Sequence, residues 1–252
     1  MIEFDKGKKV ILRNQDCMEF MKEIPDNFVD LIVTDPPYKI ITGGDKNGKN
    51  SVRPQGILRG NRKLFKNNQI KISEWMPELY RVLKCNAHCY VFSNSLNLKD
   101  MLNLSEQCGF KLVNLLVWEK NNCTPSQYYM KNCEYVLLLR KGKAKWINNI
   151  GASKTVHRFN NIISNKTHPT EKPVELMRFY IENSSNENDI VLDPFMGTGS
   201  TGVACIETNR RFIGCEIEKS YFETVKDRIY YANAQIEAIK IYENERCGVE
   251  NK

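Results

Sequence analysis

The sharpest chemical feature of the sequence is the tetrapeptide Asp35-Pro36-Pro37-Tyr38, which follows an apolar run at 29–34. The Asp35 carboxylate and the Pro36 carbonyl are two hydrogen-bond acceptors, and the prolines restrict the backbone that presents them. Such a pair suits group transfer to an exocyclic amine, whose lone pair stays delocalised until acceptors bind its two hydrogens. Tyr38 offers a flat face for an extruded base. The competing interpretation is a Pro-Pro loop with an incidental acid and a core-facing tyrosine.

A second candidate site is a glycine-rich turn between an apolar run and a helical pattern, Asp193-Pro194-Phe195-Met196-Gly197-Thr198-Gly199-Ser200. Glycines let the backbone turn tightly beside a ligand, and the helix N-terminus that follows presents N–H groups to it. Glu216 lies about 20 residues further on, where an acidic residue commonly binds ribose hydroxyls. Gly197-x-Gly199-x-x-Gly202 also fits the dinucleotide fingerprint, so an NAD-dependent oxidoreductase is an alternative. The short remainder of the chain counts against that fold, which needs a second mononucleotide half.

Neither metal nor disulfide chemistry is indicated. The nine cysteines are scattered, and the three histidines have no ligand spacing. We expect reduced, mostly buried thiols and no metal. The N-terminus lacks the apolar stretch of a signal peptide, and no apolar run is as long as a membrane span. The expectation is one soluble, cytoplasmic domain over residues 1–252, without a membrane partner.

The net charge of +7 is unevenly distributed. Residues 39–72 hold nine Lys or Arg and one acid, and residues 143–167 hold five Lys or Arg and no acid. These two segments therefore carry +13, and the rest of the chain carries −6. Two basic segments on an acidic body predict contact with a polyanion such as nucleic acid.

Strand and helix patterns alternate along the chain, which predicts an α/β fold with a doubly wound, mostly parallel, seven-stranded sheet. The strands are expected at 10–13, 29–34, 88–93, 111–118, 134–140, 190–192 and 211–216. The helices are expected at 16–24, from Ser73, at 98–108, from near Pro173 to 184, at 200–208 and at 219–246. Asp16 is the expected cap of the first helix. Ligands of such sheets bind at the carboxyl ends of the strands, where both candidate motifs lie.

These residues together resemble the amino-group DNA methyltransferases of restriction-modification systems and bacteriophages. The chain is most similar to the β group, a circular permutation in which Asp35–Tyr38 precedes the turn that begins at Asp193. The resemblance also covers the run His168-Pro169-Thr170-Glu171-Lys172-Pro173. It implies S-adenosylmethionine as cofactor and a flipped base in double-stranded DNA as substrate.

The resemblance also implies individual roles. Asp193 belongs to the cofactor motif, Glu216 would hold the ribose and Asp16 the adenine amine. Thr170 and Lys172 would lie near the cofactor carboxylate. The methionine part of the cofactor would be lined by Phe195, Gly197, Gly199 and Ser200.

An aspartate at the first position of the tetrapeptide implies adenine N6, and serine is typical of cytosine N4 enzymes. The alternatives that stay open are cytosine N4, an RNA substrate and a catalytically silent DNA-binding relative. The expected state is a monomer or homodimer, with a companion endonuclease possible. We hypothesise that 39–72 closes over the DNA and that 143–167 reads its sequence, with Lys and Arg on phosphates and residues such as Asn148 and Asn161 on base edges.

Overall fold

A computed structural model describes residues 9–37, 70–124, 129–162 and 171–249. In these ranges the strands are β1 (Val10–Arg13), β2 (Val29–Thr34), β3 (Leu83–Ser93), β4 (Lys111–Thr124), β5 (Lys131–Arg140), β6 (Val156–Arg158), β7 (Ile190–Asp193) and β8 (Arg211–Cys215). The helices are α1 (Cys17–Lys22), α2 (Ile72–Val82), α3 (Leu98–Gln107), α4 (Val174–Ser184), α5 (Ser200–Glu207) and α6 (Lys219–Val249).

All these strands form one sheet, in the order β1-β8-β7-β2-β3-β5-β4-β6. Only β5 pairs antiparallel with its neighbours, β3 and β4. The predicted doubly wound, mostly parallel sheet is therefore confirmed. The sheet has eight strands where seven were predicted, because β6 adds to its edge beside Val117–Glu119. Three residues are too few to show a strand pattern, so the sequence did not predict this strand within 143–167.

The sheet is covered by helices on both faces. Along β2, Val29 and Ile32 pack into one core, and Leu31 and Val33 pack into the other. The first core contains buried side chains of α1, α2 and α3, and the second contains those of α4, α5 and α6. This near-continuous burial of β2 is typical of a parallel strand between two helical layers.

The helix starts reflect local capping. The Asp16 side chain accepts a hydrogen bond from Met18 N at 2.8 Å, which confirms it as the cap of α1. The predicted cap of α2 at Ser73 is wrong. The helix already starts at Ile72, because the Glu74 carboxylate reaches back to the backbone N–H of Lys71 at 2.9 Å. Pro173 directly precedes α4, as predicted.

Candidate functional site

The carboxyl ends of β1, β8, β7 and β2 lie side by side at one edge of the sheet, here called the catalytic edge. Each of these strands ends at, or is followed within three residues by, an acidic side chain that the sequence singled out: Asp16, Glu216, Asp193 and Asp35. Parallel strands bring residues far apart in sequence to a common edge, so the topology assembles the predicted catalytic and cofactor residues in one place.

Asp35 is held by a network of alternating charges. Its carboxylate forms an ion pair with Lys172, whose side chain is only 6% exposed. The Lys172 ammonium lies 3.3 Å from Glu134 Oε2 and 5.2 Å from the centre of the Phe92 ring. Glu134 Oε1 in turn accepts from Lys120 Nζ at 2.7 Å. The network therefore joins the ends of β2, β4 and β5 to the segment before α4.

Charge pairing outweighs burial within this network. Burial alone lowers the pKa of Lys172, but the carboxylates of Asp35 and Glu134 raise it above its usual range. Burial likewise opposes the charge of Glu134, and the ammonium groups of Lys172 and Lys120 hold its pKa below its usual value. Both side chains are therefore charged at neutral pH, and the positive charge beside Asp35 is permanent there.

The resemblance implied that Lys172 lies near the cofactor carboxylate. The structure pairs Lys172 with Asp35 and Glu134, and its place beside the cofactor carboxylate stays a prediction. Glu134 itself was missed as a site residue. The only sign of Glu134 in the sequence is a carboxylate at the start of the apolar strand 134–140. Its partner Lys172 lies far away along the chain, so no local pattern connects the two residues. Tyr38 and Thr170 lie outside the described residues.

The glycine turn after β7 is built on two left-handed residues, Gly197 with φ 53° and Gly199 with φ 83°. A Cβ at Gly199 would lie 2.8 Å from Val225 Cγ1, so this glycine is also needed for packing against α6. A Cβ at Gly197 would meet nothing within 4 Å. Gly197 thus combines a glycine conformation with open space beside the backbone, as a ligand-facing turn requires. Ser200, the first residue of α5, is buried.

Asp193 has an internal role. The carboxylate is 4% exposed and accepts hydrogen bonds from Thr34 Oγ1 and Thr201 Oγ1, both at 2.7 Å, and from Phe195 N at 3.1 Å. Burial raises its pKa to about 6, although these three donors favour the ionised form. Asp193 therefore joins the glycine turn to the end of β2, one residue before Asp35.

Acidic and apolar groups surround the turn. Glu216 accepts from Gly197 N at 3.1 Å and from Glu218 N at 2.8 Å, and burial raises its pKa. Asp16 is exposed at the neighbouring strand end, and Phe195 packs edge-on against Trp75 at 5.7 Å. The run 193–201 contains no Lys or Arg. These carboxylates fit a cationic sulfonium nucleoside with hydroxyls and an amine better than a pyrophosphate.

The basic segment 143–167 divides into two parts in the structure. Lys143 N donates to Asn86 Oδ1 at 2.8 Å, near the amino end of β3. The Asn148 side chain donates to the carbonyls of Glu182 and Ser185 at 2.7 and 2.8 Å, at the end of α4. This part therefore lies at the amino edge of the sheet, opposite Asp35. Asn148 is occupied there, and the hypothesis that it reads base edges is not supported.

The second part of that segment lies beside the catalytic edge. Arg158 pairs with Glu119 at 2.7 Å, and Asn161 Nδ2 donates to Asn122 Oδ1 at 3.0 Å. The Trp118 indole, which is buried, donates to the carbonyl of Phe159 at 2.9 Å. These contacts bring residues 156–161 alongside the end of β4.

Within the described ranges, no cluster of three His, Cys, Asp or Glu side chains is arranged to hold a metal. Burial raises the pKa of Cys17 to about 12, and it also raises those of Cys205 and Cys215 well above their usual range. These thiols are therefore poor nucleophiles and serve as small core residues. Among the helices in the same ranges, none is long and apolar enough to span a membrane.

Known proteins that are similar to this chain in sequence and fold are DNA methyltransferases. A family model described as DNA methylase matches residues 29–227. Type II methyltransferase M2.MboI from Moraxella bovis is 30% identical over 237 residues, covering 85% of this chain and 85% of that protein. The crystal structure of an M1.HpyAVI-SAM complex is 30% identical with a TM-score of 0.66, covering 87% of this chain and 99% of that one.

A further solved structure shares the fold at lower identity. The PvuII DNA methyltransferase, described as cytosine-N4-specific, is 17% identical with a TM-score of 0.67, covering 88% of this chain and 89% of that one. Neither the NAD-dependent oxidoreductase nor the silent relative is supported by these findings. Among the described residues, no strand follows β8, as a second mononucleotide half would require. The chain therefore belongs to the N6/N4 DNA methylase family and is a DNA methyltransferase whose methyl donor is S-adenosylmethionine.

Proposed function

We propose that this enzyme methylates N6 of a flipped adenine in double-stranded DNA. The observation that carries the proposal is the Asp35 carboxylate, which stands at the end of β2 with its charge balanced by Lys172. The resemblance associates an aspartate at this position with adenine. A fixed carboxylate is suited to bind an amine hydrogen without first reorganising solvent.

The chemistry follows from the electronic structure of the amine. The Asp35 carboxylate and the Pro36 carbonyl would each accept one N–H of the base, which localises the nitrogen lone pair out of the ring plane. When bound, S-adenosylmethionine would supply the methyl group: its bond to the sulfonium sulfur breaks as the new N–C bond forms at that lone pair, and a neutral thioether leaves. The methylated nitrogen, now positively charged, then gives one proton to water, and a secondary amine remains. Catalysis is positioning plus electrostatics, without a covalent enzyme intermediate. Stacking of the base on Tyr38 is part of the proposal and comes from the sequence alone.

The cofactor would be held by the strand ends beside Asp35. We expect Glu216 to bind ribose hydroxyls and the exposed Asp16 to bind the adenine amine of the cofactor. Asp193 acts indirectly by fixing the turn. We expect the methionine part to pass along Phe195, Gly197, Gly199 and Ser200. Thr170 and Lys172 keep their proposed places near the cofactor carboxylate.

The second candidate is N4 of cytosine, which presents a similar conjugated amine and which the PvuII enzyme, of the same fold, methylates according to its description. The test is to incubate the protein with S-adenosylmethionine and unmethylated DNA of mixed sequence. Digestion to nucleosides and mass spectrometry then identify the product, with RNA of the same sequence in parallel. We expect N6-methyladenine from DNA. A product that contains only N4-methylcytosine would refute the adenine assignment, and methylation of RNA alone would refute the duplex assignment.

A further inference from the structure

β4 and β5 extend well beyond the catalytic edge, flanked by β6 as far as Glu119 and as a two-stranded ribbon from there on. In the strand registers, Thr34 of β2 lies opposite Val91, and Val91 lies opposite Leu137 of β5. From Leu137, β5 continues for six residues to Lys131, where it still pairs with β4. At the rise of an extended strand this is roughly 20 Å past the level at which β2 ends.

The chain entering β5 exposes large side chains at this end. Tyr129 is 89% exposed and Met130 is 64% exposed, and Lys131 is also exposed. Lys131 has no ion pair with any other described residue. The exposed tyrosine, methionine and lysine are adjacent, so together they form a surface that can contact a partner. Residues Tyr129–Lys131 are here called the ribbon tip.

A second exposed aromatic residue next to a lysine lies on the opposite side of the sheet. Trp146 is 81% exposed, next to Lys145, in the segment anchored at the amino edge by Asn148. A duplex that presents a base to Asp35 approaches the catalytic edge, so it reaches the ribbon tip and not Trp146.

We propose that the ribbon tip is a DNA-contacting element of this methyltransferase, set against the groove beside the target base. This inference rests on the proposed function. A two-stranded β-ribbon fits the major groove of B-DNA, a lysine grips phosphate and a tyrosine stacks on exposed bases. The root of the ribbon carries Lys120 and Glu134, which belong to the network that holds Asp35. DNA bound at the tip is therefore in fixed register with the catalytic carboxylate.

The test compares two double variants that each remove one exposed aromatic residue and one lysine. Tyr129→Ala/Lys131→Ala alters the ribbon tip, and Lys145→Ala/Trp146→Ala is the matched control at the amino edge. Affinity for a target duplex is measured by fluorescence anisotropy at several salt concentrations, after melting temperatures have shown that both variants fold. We expect the tip variant to weaken binding about 10-fold or more. Its salt slope should fall by about one ion, and the control should match wild type.

Unchanged affinity of the tip variant would overturn the inference. Equal losses in both variants would overturn it as well, because the DNA would then not be confined to the catalytic edge. Nucleoside analysis of the wild-type reaction in the same buffer separates this result from the proposed function. Wild-type protein that methylates adenine while the tip variant binds normally refutes only the ribbon contact. Wild-type protein that leaves adenine unmethylated refutes the proposed function whatever the affinities are.

Discussion

Three carboxylates near the catalytic edge differ in what surrounds them, and the surroundings separate their roles. Asp193 is buried among hydroxyl donors and fixes the backbone. Glu216 is partly buried and accepts from the glycine turn. Asp35 is paired with an ammonium group at the end of β2. The residue types were evident in the sequence, but only the structure shows that Asp193 binds the turn internally.

Stability should depend on pH through Asp193. Burial raises its pKa to about 6 in the folded protein, against about 4 in an unfolded chain. The folded state therefore holds this proton more tightly, and the stabilisation is fully present below about pH 4 and lost as the pH rises through about 6. The difference in unfolding free energy between wild type and Asp193→Asn should fall by roughly 3 kcal/mol from pH 4 to pH 7. Urea unfolding at intermediate pH values measures this, and a constant difference would contradict it.

The two left-handed glycines should respond differently to alanine. In Gly199→Ala the added methyl group clashes with Val225. The alanine must also adopt a left-handed φ, which costs about 1–2 kcal/mol for the backbone alone. In Gly197→Ala only the left-handed φ of the backbone is destabilising, but the added methyl group points into the open side of the turn. We expect Gly199→Ala to lose more stability and Gly197→Ala to lose more affinity for S-adenosylmethionine. Thermal unfolding and calorimetric titration test this order, with Gly151→Ala as the control at an open, unstrained position. The reverse order would refute the assignment of the two glycines.

Among the secondary structure elements, the ion network couples the antiparallel part of the sheet to the catalytic strand. Lys172 contacts Asp35 on one side and Glu134 of β5 on the other. Removing the Glu134 carboxylate leaves the buried Lys172 ammonium with one ion-pair partner fewer. The side chains of Lys172 and Asp35 are then held less firmly in place. We therefore expect Glu134 to act as a positioning residue for Asp35.

Glu134→Gln should lower kcat about 10-fold, an effect of about 1.4 kcal/mol on the barrier, while KM for S-adenosylmethionine stays within about 2-fold. The matched control is Glu223→Gln, which removes a carboxylate from an exposed ion pair with Lys226 on α6. Exposed pairs contribute little, so this variant should behave as wild type. Steady-state methylation at saturating DNA measures both, and a change confined to KM would contradict the positioning role.

The elements with strong patterns were predicted well and the weakly patterned ones were not. The buried run of β2 and the cap of α1 at Asp16 gave clear local signals. Strand β3 starts at Leu83, five residues before the predicted start at 88, because Leu83 pairs with Val29 across the sheet. β6 exists only through its pairing with β4. Both differences come from tertiary contacts that no local window contains.

Across the whole molecule, the rule that ligands bind at the carboxyl ends of parallel strands predicted that the candidate catalytic and cofactor residues lie together, as they do in the structure. The distribution of basic residues did not predict which of them lie on the same side of the sheet as these candidates. Lysines of 143–149 are close in sequence to the strand that carries Glu134, yet β5 runs antiparallel and delivers them to the far edge. The number of basic residues in 143–167 therefore overestimated how much of this segment can contact DNA at the catalytic edge. Residues 39–69, the larger part of the other basic segment, keep their predicted DNA contact as a hypothesis, and 38–69 lie outside the described residues.

That remaining hypothesis has its own test. Charge reversal by Lys63→Glu/Lys66→Glu should weaken DNA binding and lower the slope of log affinity against log salt by about two ions, because two phosphate contacts are lost. Binding isotherms between low and moderate salt measure the slope. An affinity and slope equal to wild type would remove this segment from the DNA footprint.

The most direct test of the central claim is methyl transfer and DNA binding by Asp35→Ala, measured in the same preparation. If Asp35 acts on the amine and not on the DNA backbone, as we propose, turnover of adenine to N6-methyladenine should fall to background while affinity for duplex DNA stays within about 2-fold of wild type. Near wild-type turnover by Asp35→Ala would contradict the assignment of this carboxylate as the acceptor at the target amine.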